Sequence, residues 1–191
     1  MFNHEKEIRE NWFSEHIAEY KAYDDIKILR WAKPNSWMYG CNYVFQGCNL
    51  YISGDIGEAV FCFTEKADVK RIAQYGLSYF KSKLRAFCEP EEDFNSDKAI
   101  KRLREWLKEL KEYDKTYDHD QMKDFFAEIR EECISKSGFI SILHKYDDLI
   151  GDLDVDYWEW MPNCGDETPI RLEGYLIGLQ MASEQLTSEP N

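Results

Sequence analysis

Hydrophobic and polar positions alternate in the first third of the chain and then take up a helical period. Between residues 37 and 45 every odd position is bulky or apolar, which predicts a strand with one buried face. Apolar runs at Ile26–Ala32, 50–52 and 59–63 are separated by short turn sequences, so we expect further strands joined by tight connections. The pattern predicts a small antiparallel β-meander over about residues 26–64.

A period near 3.6 residues marks the predicted helices. They cover 4–20, a short stretch around Val69, 77–88, a long helix from Ser96, a helix carrying Met122 to Cys133, 138–150, and a last helix from Thr168-Pro169 to about Leu186. Together with the meander they predict an α+β fold in which the sheet precedes a helical lobe. We expect a β-sheet region at 1–88 and an acidic helical region at 89–191, within one compact unit.

Negative charge is concentrated in one part of the chain. The net charge is -13, from 24 Lys and Arg against 37 Asp and Glu, yet residues 1–88 sum to +1 and residues 89–166 to -11. Binding to nucleic acid draws on cations that neutralise phosphates, so this balance argues against direct DNA binding by the acidic region. Such asymmetry is typical of two structural regions with different surfaces.

The sequence lacks the usual signals of membrane insertion and of metal binding. No apolar run approaches the ~20 residues that span a bilayer, and residues 1–10 are charged rather than signal-like. The six cysteines form no Cys-x-x-Cys pair and the four histidines are scattered, so a zinc site is not expected. We therefore predict a cytoplasmic protein with reduced, mostly buried thiols, no metal and no other cofactor.

The turn Ser53-Gly54-Asp55-Ile56-Gly57-Glu58-Ala59 joins two predicted strands and is the most motif-like string in the chain. Gly54 and Gly57 permit positive φ or a close backbone approach, and Asp55 and Glu58 lie three residues apart. The two carboxylates could hold a divalent cation or contact a partner, although two carboxylates alone are too few for a metal site. We favour a structural hypothesis, in which Asp55 accepts backbone N–H bonds and the glycines supply the turn geometry.

A wider pattern around this turn resembles a group of uncharacterised proteins encoded by bacteriophages and prophages. The resemblance spans residues 31–83 and rests on Tyr43-Val44-Phe45, the string from Leu50 to Phe61, and Tyr79-Phe80-x-Ser82-Lys83. It implies a mobile-element origin, and hence the cytoplasm of an infected or lysogenic bacterium, but it brings no established catalytic residues. Small phage proteins of this kind are often inhibitors of host defence, and anti-CRISPR proteins are among them. The resemblance therefore implies an inhibitor, by association with such proteins and not from particular residues.

An acidic, aromatic-rich segment at 147–160 is the predicted partner-binding surface. Asp152, Asp154 and Asp156 alternate, and in an extended chain they would project to one side about 6.6–6.8 Å apart, close to the phosphate spacing of a nucleic-acid strand. The predicted binding residues are Asp147, Asp148, Asp152, Asp154, Asp156, Tyr157, Trp158, Glu159 and Trp160. An EF-hand is rejected because its sixth and twelfth loop positions are Tyr157 and Asn163. The alternative is an acidic loop whose aromatic side chains lie in the core.

Two further features each have a structural and a functional interpretation. Six basic residues cluster in the predicted short helices, where internal ion pairs are favoured over contact with nucleic acid: Lys66, Lys70, Arg71, Lys81, Lys83 and Arg85. The last helix carries Gly174, Gly178 and Ala182 at four-residue spacing, a stripe that allows close packing. Packing against the chain's own core is the first hypothesis for this stripe, and the seam of a homodimer is the second.

The expected function is that of a phage-type, non-enzymatic inhibitor that binds a nucleic-acid-binding host effector. A CRISPR nuclease or its guide complex is the expected partner, and an acidic surface that mimics nucleic acid is the expected means. The alternative is a small metal-dependent hydrolase or nuclease that uses Asp55 and Glu58. The sequence contains no phosphate loop, nucleophile elbow or Rossmann glycine pattern, which favours the binding protein over the enzyme.

Overall fold

Two compact units make up the structure, a computed structural model that describes residues 3–112, 115–133 and 135–188. The first unit joins Met1–Glu91 with Thr168–Asn191, and the second unit is Glu92–Glu167. The predicted division after residue 88 lies close to the first of these boundaries. The last helix, which the sequence analysis places in the acidic region 89–191, belongs instead to the first unit.

The first unit is built on a six-stranded antiparallel sheet in which each strand pairs with the next along the chain. Its strands are β1 Ile17–Tyr23, β2 Ile26–Ala32, β3 Cys41–Gln46, β4 Asn49–Gly54, β5 Ala59–Cys62 and β6 Leu84–Phe87. Alternate residues point to opposite faces, and Leu29, Tyr43 and Phe61 lie on the buried face. The β-meander and the α+β class are confirmed, and the sheet is wider than the predicted 26–64.

Both added strands overlap segments that the spacing predicts to be helical, β1 over residues 17–20 and β6 over its whole length. At the start of the chain, helix α1 Glu5–Glu7 continues as a π-helical turn at Ile8–Trp12, and β1 follows. Residues 77–88 form helix α3 Leu77–Ser82 and then β6. The helical prediction is wrong for β1 and β6 because pairing with β2 and with β5 outweighs the local apolar spacing.

The strand predicted at 37–45 begins only at Cys41. Tyr39 has a φ of 58°, a left-handed conformation incompatible with a strand, and Asn35 has a φ of 61°. Residues 33–40 therefore form a loop between β2 and β3. The Tyr39 ring stacks on Trp12 with the ring centroids 4.9 Å apart, so the aromatic residues of this loop reflect contacts other than strand pairing.

Helix α9 Ile170–Ser188 packs on the buried face of the sheet, alongside the short helix α2 Val69–Ile72. The glycine stripe makes this packing close, since a Cβ at Gly178 would lie 2.6 Å from the Tyr43 hydroxyl oxygen. The stripe therefore packs against the chain's own core, as the first hypothesis for it states, and is not available as a seam between two copies. Neither α9 nor another described helix is long and apolar enough to cross a membrane.

The second unit is a group of helices around a hydrophobic core of its own. Its helices are α4 Ser96–Glu112, α5 His119–Glu132, α6 Lys136–Lys145, α7 Asp147–Gly151 and α8 Tyr157–Trp160, followed by a 3-10 turn at Met161–Asn163. A two-stranded ribbon, β7 Asp93–Phe94 with β8 Asp166–Glu167, closes the unit. The side chain of Asn95, which directly precedes the predicted helix start at Ser96, caps α4 by accepting the Lys98 N–H at 3.0 Å.

All six cysteines carry free thiols. Cys41 and Cys133 are buried, and burial raises the pKa of the Cys41 thiol to about 12. Cys88 is exposed, because it follows the edge strand β6 instead of lying in a helix. The prediction of mostly buried thiols therefore holds for Cys41 and Cys133, whereas Cys48 and Cys88 are exposed and the other two thiols are partly buried.

Candidate partner-binding surface

The acidic segment 147–160 is folded rather than extended. It consists of helix α7, a turn over residues 152–156, and helix α8. The spacing of about 6.6–6.8 Å between alternate side chains applies only to an extended backbone. The prediction of a phosphate-like row formed by Asp152, Asp154 and Asp156 is therefore wrong, because a turn sends successive side chains in different directions.

Asp154 organises this turn. Its carboxylate accepts a hydrogen bond from the Asp156 backbone N–H at 3.1 Å and another from the Trp160 indole N–H at 3.1 Å. A side chain that bonds to the backbone two residues further on is typical of an Asx turn. Asp154 is thus a structural residue of the surface, and its carboxylate is already engaged within the chain.

The three aromatic residues of the segment divide between core and surface. Tyr157 is 2% exposed, its hydroxyl donates to the Asp147 carboxylate, and burial raises the pKa of its phenol. Trp160 is partly buried against the core of the second unit. Trp158 is 38% exposed and lies beside the His144 ring, with centroids 4.6 Å apart. Of the predicted aromatic contacts, Trp158 is the most accessible to a partner, and Trp160 is only partly so.

The accessible part of the segment is acidic, with two apolar side chains among the carboxylates. Its exposed carboxylates are Asp147, Asp148, Asp152, Asp156 and Glu159. Val155 is 87% exposed in the turn, and Trp158 follows at the start of α8. Sequence reasoning missed Val155, because strand alternation places it on the face opposite to the aspartates.

A hollow of about 300 Å³ lies beside this segment in the second unit, and we call it the acidic hollow. Its acidic lining residues are Asp148, Asp152 and Asp118, of which Asp118 also caps α5 by accepting the Asp120 and Gln121 N–H groups with one carboxylate oxygen. Its apolar walls come from Tyr117, Leu149 and Leu153. The Lys115 amino group donates to the Leu153 carbonyl at 2.5 Å, which ties the segment before α5 to the turn after α7. Sequence reasoning missed Asp118, because only the tertiary fold brings it beside Asp148 and Asp152.

The acidic hollow combines two features that a long cationic side chain requires. The carboxylates can accept hydrogen bonds from a guanidinium or ammonium group. The apolar walls can cover the methylene stem that leads to that group. The hollow is therefore chemically complementary to an arginine or lysine side chain.

The second unit also carries most of the negative charge of the chain. Residues Glu92–Glu167 include 21 acidic and 11 basic residues, a net charge of -10. Basic side chains are drawn into ion pairs within the unit, as Lys145 is with Glu128 at 2.6 Å. The hydrogen bond from Lys145 lowers the pKa of the Glu128 carboxyl. The unit therefore presents a negative surface to a partner.

Asp55 in the turn 53–59 holds the neighbouring loop. Its carboxylate accepts the Tyr39 backbone N–H at 2.7 Å, and its own N–H donates to the Gly40 carbonyl at 2.8 Å. Because Tyr39 has the left-handed conformation, this bond stabilises the bend of the loop 33–40. A Cβ at Gly54 would lie 2.1 Å from the Gly40 carbonyl oxygen, so this close approach requires glycine.

Helix α9 and the end of β6 hold the other side of the same turn. The Tyr175 hydroxyl donates to the Ile56 carbonyl at 3.0 Å, and the Glu58 N–H donates to the Cys88 sulfur at 3.3 Å. Gly57 has a φ of 102°, which favours glycine. These contacts agree with the structural hypothesis for Gly54, Asp55 and Gly57.

No group of three or more His, Cys, Asp or Glu side chains in the described residues could hold a metal ion. Asp55 is engaged with the backbone of Tyr39, and Glu58 lines a hollow whose other walls include Tyr51, Val60 and Phe87. The hydrolase built on Asp55 and Glu58 therefore stays a prediction, which a turnover assay must test.

The predicted basic cluster takes part in contacts within the first unit. Arg71 pairs with Glu65, and the Lys83 ammonium lies 4.6 Å from the centroid of the Tyr79 ring. For these two residues, internal contacts are present, as the favoured hypothesis states.

Comparison with known proteins finds no counterpart of this chain, whether among protein-family models, curated proteins or solved structures. The functional argument therefore depends on the acidic hollow and the side chains around it.

Proposed function

We propose that this protein is a phage-type, non-enzymatic inhibitor that binds the nucleic-acid-binding groove of a host defence effector, such as a guide-loaded CRISPR nuclease. The acidic hollow and the exposed carboxylates beside it form the contact surface. They take arginine and lysine side chains of the effector that would otherwise bind phosphates. The site of action is the bacterial cytoplasm.

The acidic hollow is the observation that carries this proposal. It is lined by Asp118, Asp148 and Asp152 together with apolar walls, in a unit with a net charge of -10. Grooves that bind nucleic acid are lined by Lys and Arg, which contribute most of the electrostatic affinity. An arginine from such a groove can place its stem on Leu149 and Leu153 and its guanidinium on the carboxylates.

Charge sets the rate and the salt dependence of the association more than its strength. Exposed ion pairs are worth only about 0–1 kcal/mol each, so affinity must also come from contacts that exclude water. Val155 and Trp158 are the exposed apolar side chains of the segment that can supply them. The long-range attraction should weaken as the Debye length falls from ~10 Å at 0.1 M salt to ~3 Å at 1 M.

The test is a competition titration into a purified, guide-loaded CRISPR nuclease with fluorescently labelled target DNA. The wild-type protein should displace the DNA near one-to-one stoichiometry without turnover. The double variant Asp148→Asn/Asp152→Asn removes two carboxylates from the hollow, and we expect its competition constant to weaken about tenfold or more. Trp158→Ala should also weaken competition, because it removes an exposed aromatic contact.

The matched control is Asp24→Asn/Asp25→Asn, which changes the net charge equally at two exposed positions of the first unit. It should compete as well as the wild type. Equal losses in the two double variants would mean that net charge, and not the hollow, drives binding. A wild type that fails to displace DNA contradicts the proposal, and turnover that Asp55→Asn abolishes would instead support the hydrolase alternative.

A further inference from the structure

The sheet of the first unit has one face packed against helices and an opposite face with a continuous apolar row. Strand register places five side chains next to one another across β2 to β6: Ile28, Val44, Tyr51, Val60 and Ala86. Directly paired residues share a face of the sheet, so these side chains project together. We call this row the outer stripe, and the surface around it the outer face.

Large apolar side chains are exposed on the outer face. Ile17, Tyr23 and Tyr51 point outward by strand register and are 49%, 56% and 39% exposed. Trp37 is 39% exposed and joins them through Arg30, whose guanidinium carbon lies 5.3 Å from the indole ring centroid. Tyr, Trp and Arg are enriched in protein interfaces, and a contiguous exposed apolar surface marks a site of interaction.

The edges of the sheet are partly protected, so association through the face is favoured over strand addition. At β1 the Gln185 side chain accepts the Ala18 N–H at 3.1 Å and donates to the His16 carbonyl at 2.8 Å. At the other edge, β6 is only 4 residues long, and its pairing with β5 shifts in register. Capped, short and irregular edges are devices that oppose edge-to-edge pairing.

The outer face carries few charges, and only one of them is negative, which permits a second copy of the same chain to approach it. The outward positions of β1 to β5 hold three charged residues, Glu19, Lys21 and Arg30, and Glu19 pairs with Arg30 at 3.0 Å. Arg85 is exposed on β6 beside Ala86, so the outer face as a whole sums to +2 in a chain of net charge -13, and it lacks the carboxylate excess that would hold two copies of the chain apart.

The area of the face is enough for a small specific interface, which buries about 1,000 Å² or more over both partners. The six strands contain 34 residues, which at ~3.4 Å per residue and ~4.8 Å between strands cover about 550 Å² in projection. Side chains and the exposed loop residues Trp37 and Met38 raise the accessible area towards the ~800 Å² per partner of a standard interface. We propose that two copies of this chain pack face to face through the outer stripe as a sandwich of two sheets.

The test is the molar mass in solution, measured by light scattering after size exclusion over a series of concentrations. The wild type should approach twice the chain mass of 22.7 kDa. Tyr51→Lys places two charges inside the apolar interface by symmetry, and we expect it to return the mass to that of one chain. Tyr79→Lys is the matched control, since Tyr79 has the same residue type and 40% exposure but lies on α3.

A wild type that stays at the mass of one chain at every concentration overturns the proposal. So does a Tyr51→Lys variant that keeps the dimer mass, or a Tyr79→Lys variant that dissociates equally. If circular dichroism shows that Tyr51→Lys is unfolded, Tyr51→Ser replaces it and must raise the dimer dissociation constant at least tenfold. If the wild type is monomeric and a single-stranded oligonucleotide binds at Tyr51, the outer face binds nucleic acid and the dimer proposal is wrong. No effector is used, so this result is independent of the inhibitor proposal.

Discussion

Substitution of Gly178 with alanine tests how closely α9 packs on the sheet. A Cβ at this position would lie 2.6 Å from Tyr43 Oη and 3.3 Å from both Phe13 Cε2 and Trp31 Cδ1. Tyr43 is fully buried, and its hydroxyl donates to the Tyr175 carbonyl at 3.2 Å. The added methyl group must displace either the helix or the Tyr43 ring together with its hydrogen bond.

Two opposing contributions set the expected loss of stability for Gly178→Ala. Alanine favours a helix over glycine by about 1 kcal/mol. Overpacking a dense core costs about 1–3 kcal/mol, and loss of the Tyr43 hydrogen bond costs about 1 kcal/mol more. We therefore expect the free energy of unfolding of the first unit to fall by about 1–3 kcal/mol.

Gly174→Ala is the matched control on the same helix. Its Cβ would lie 3.0 Å from Trp12 Cζ3, but Trp12 is only partly buried and can move aside. The gain in helix propensity should then offset the contact, so this variant should keep or increase the stability of the wild type.

Urea unfolding followed by tryptophan fluorescence measures both variants. Tyr43→Phe removes the oxygen that the new methyl group meets, so Gly178→Ala should cost less in that background, and a double-mutant cycle measures the difference. Gly178→Leu should disrupt the fold, whereas a dimer seam would let it form a folded monomer. The reasoning fails if Gly178→Ala is as stable as Gly174→Ala and shows no coupling to Tyr43.

Three further outcomes follow from single contacts in the first unit. Asp55→Ala should lower the free energy of unfolding by about 1 kcal/mol, because the Tyr39 N–H loses its acceptor. Urea unfolding measures this, and a variant as stable as the wild type would contradict it. Glu173→Gln should lower the free energy of unfolding by about 1–3 kcal/mol. The buried Glu173 carboxylate accepts the N–H groups of residues 3 and 4, and the amide of glutamine would turn a donor towards them. Urea unfolding measures this loss too, and a variant with wild-type stability would count against this role. His16→Phe should reduce the acid sensitivity of the fold. Burial lowers the pKa of His16 below 6.5, so the unfolded chain binds more protons as the pH falls through that value and the wild type loses stability there. Melting temperatures between about pH 8 and pH 5 measure this, and parallel curves for the two proteins would refute it.

Local patterns along the chain were sufficient to predict the centre of the sheet and most of the helices. The apolar runs of β2, β4 and β5 and the turn at Gly47, with its φ of 58°, specify hairpins without reference to distant residues. The apolar spacing of α4 and α5 likewise matches the residues buried in the second core. These predictions succeed because burial of one side of an element imposes its own period on the residues of that element.

Contacts between distant segments decided the rest. Segments with helical spacing became β1 and β6 because neighbouring strands were available to pair with them, and strand preference depends on such neighbours more than on the segment itself. The Asp-rich segment folded into a turn through the side chain of Asp154, so its extended spacing was lost and Asp118 became the neighbour of Asp148 instead. The sequence by itself determined where apolar and acidic residues stand along each element. Which of them meet in the acidic hollow or on the outer face depends on the tertiary fold, because side chains far apart in sequence become neighbours only when the chain has folded.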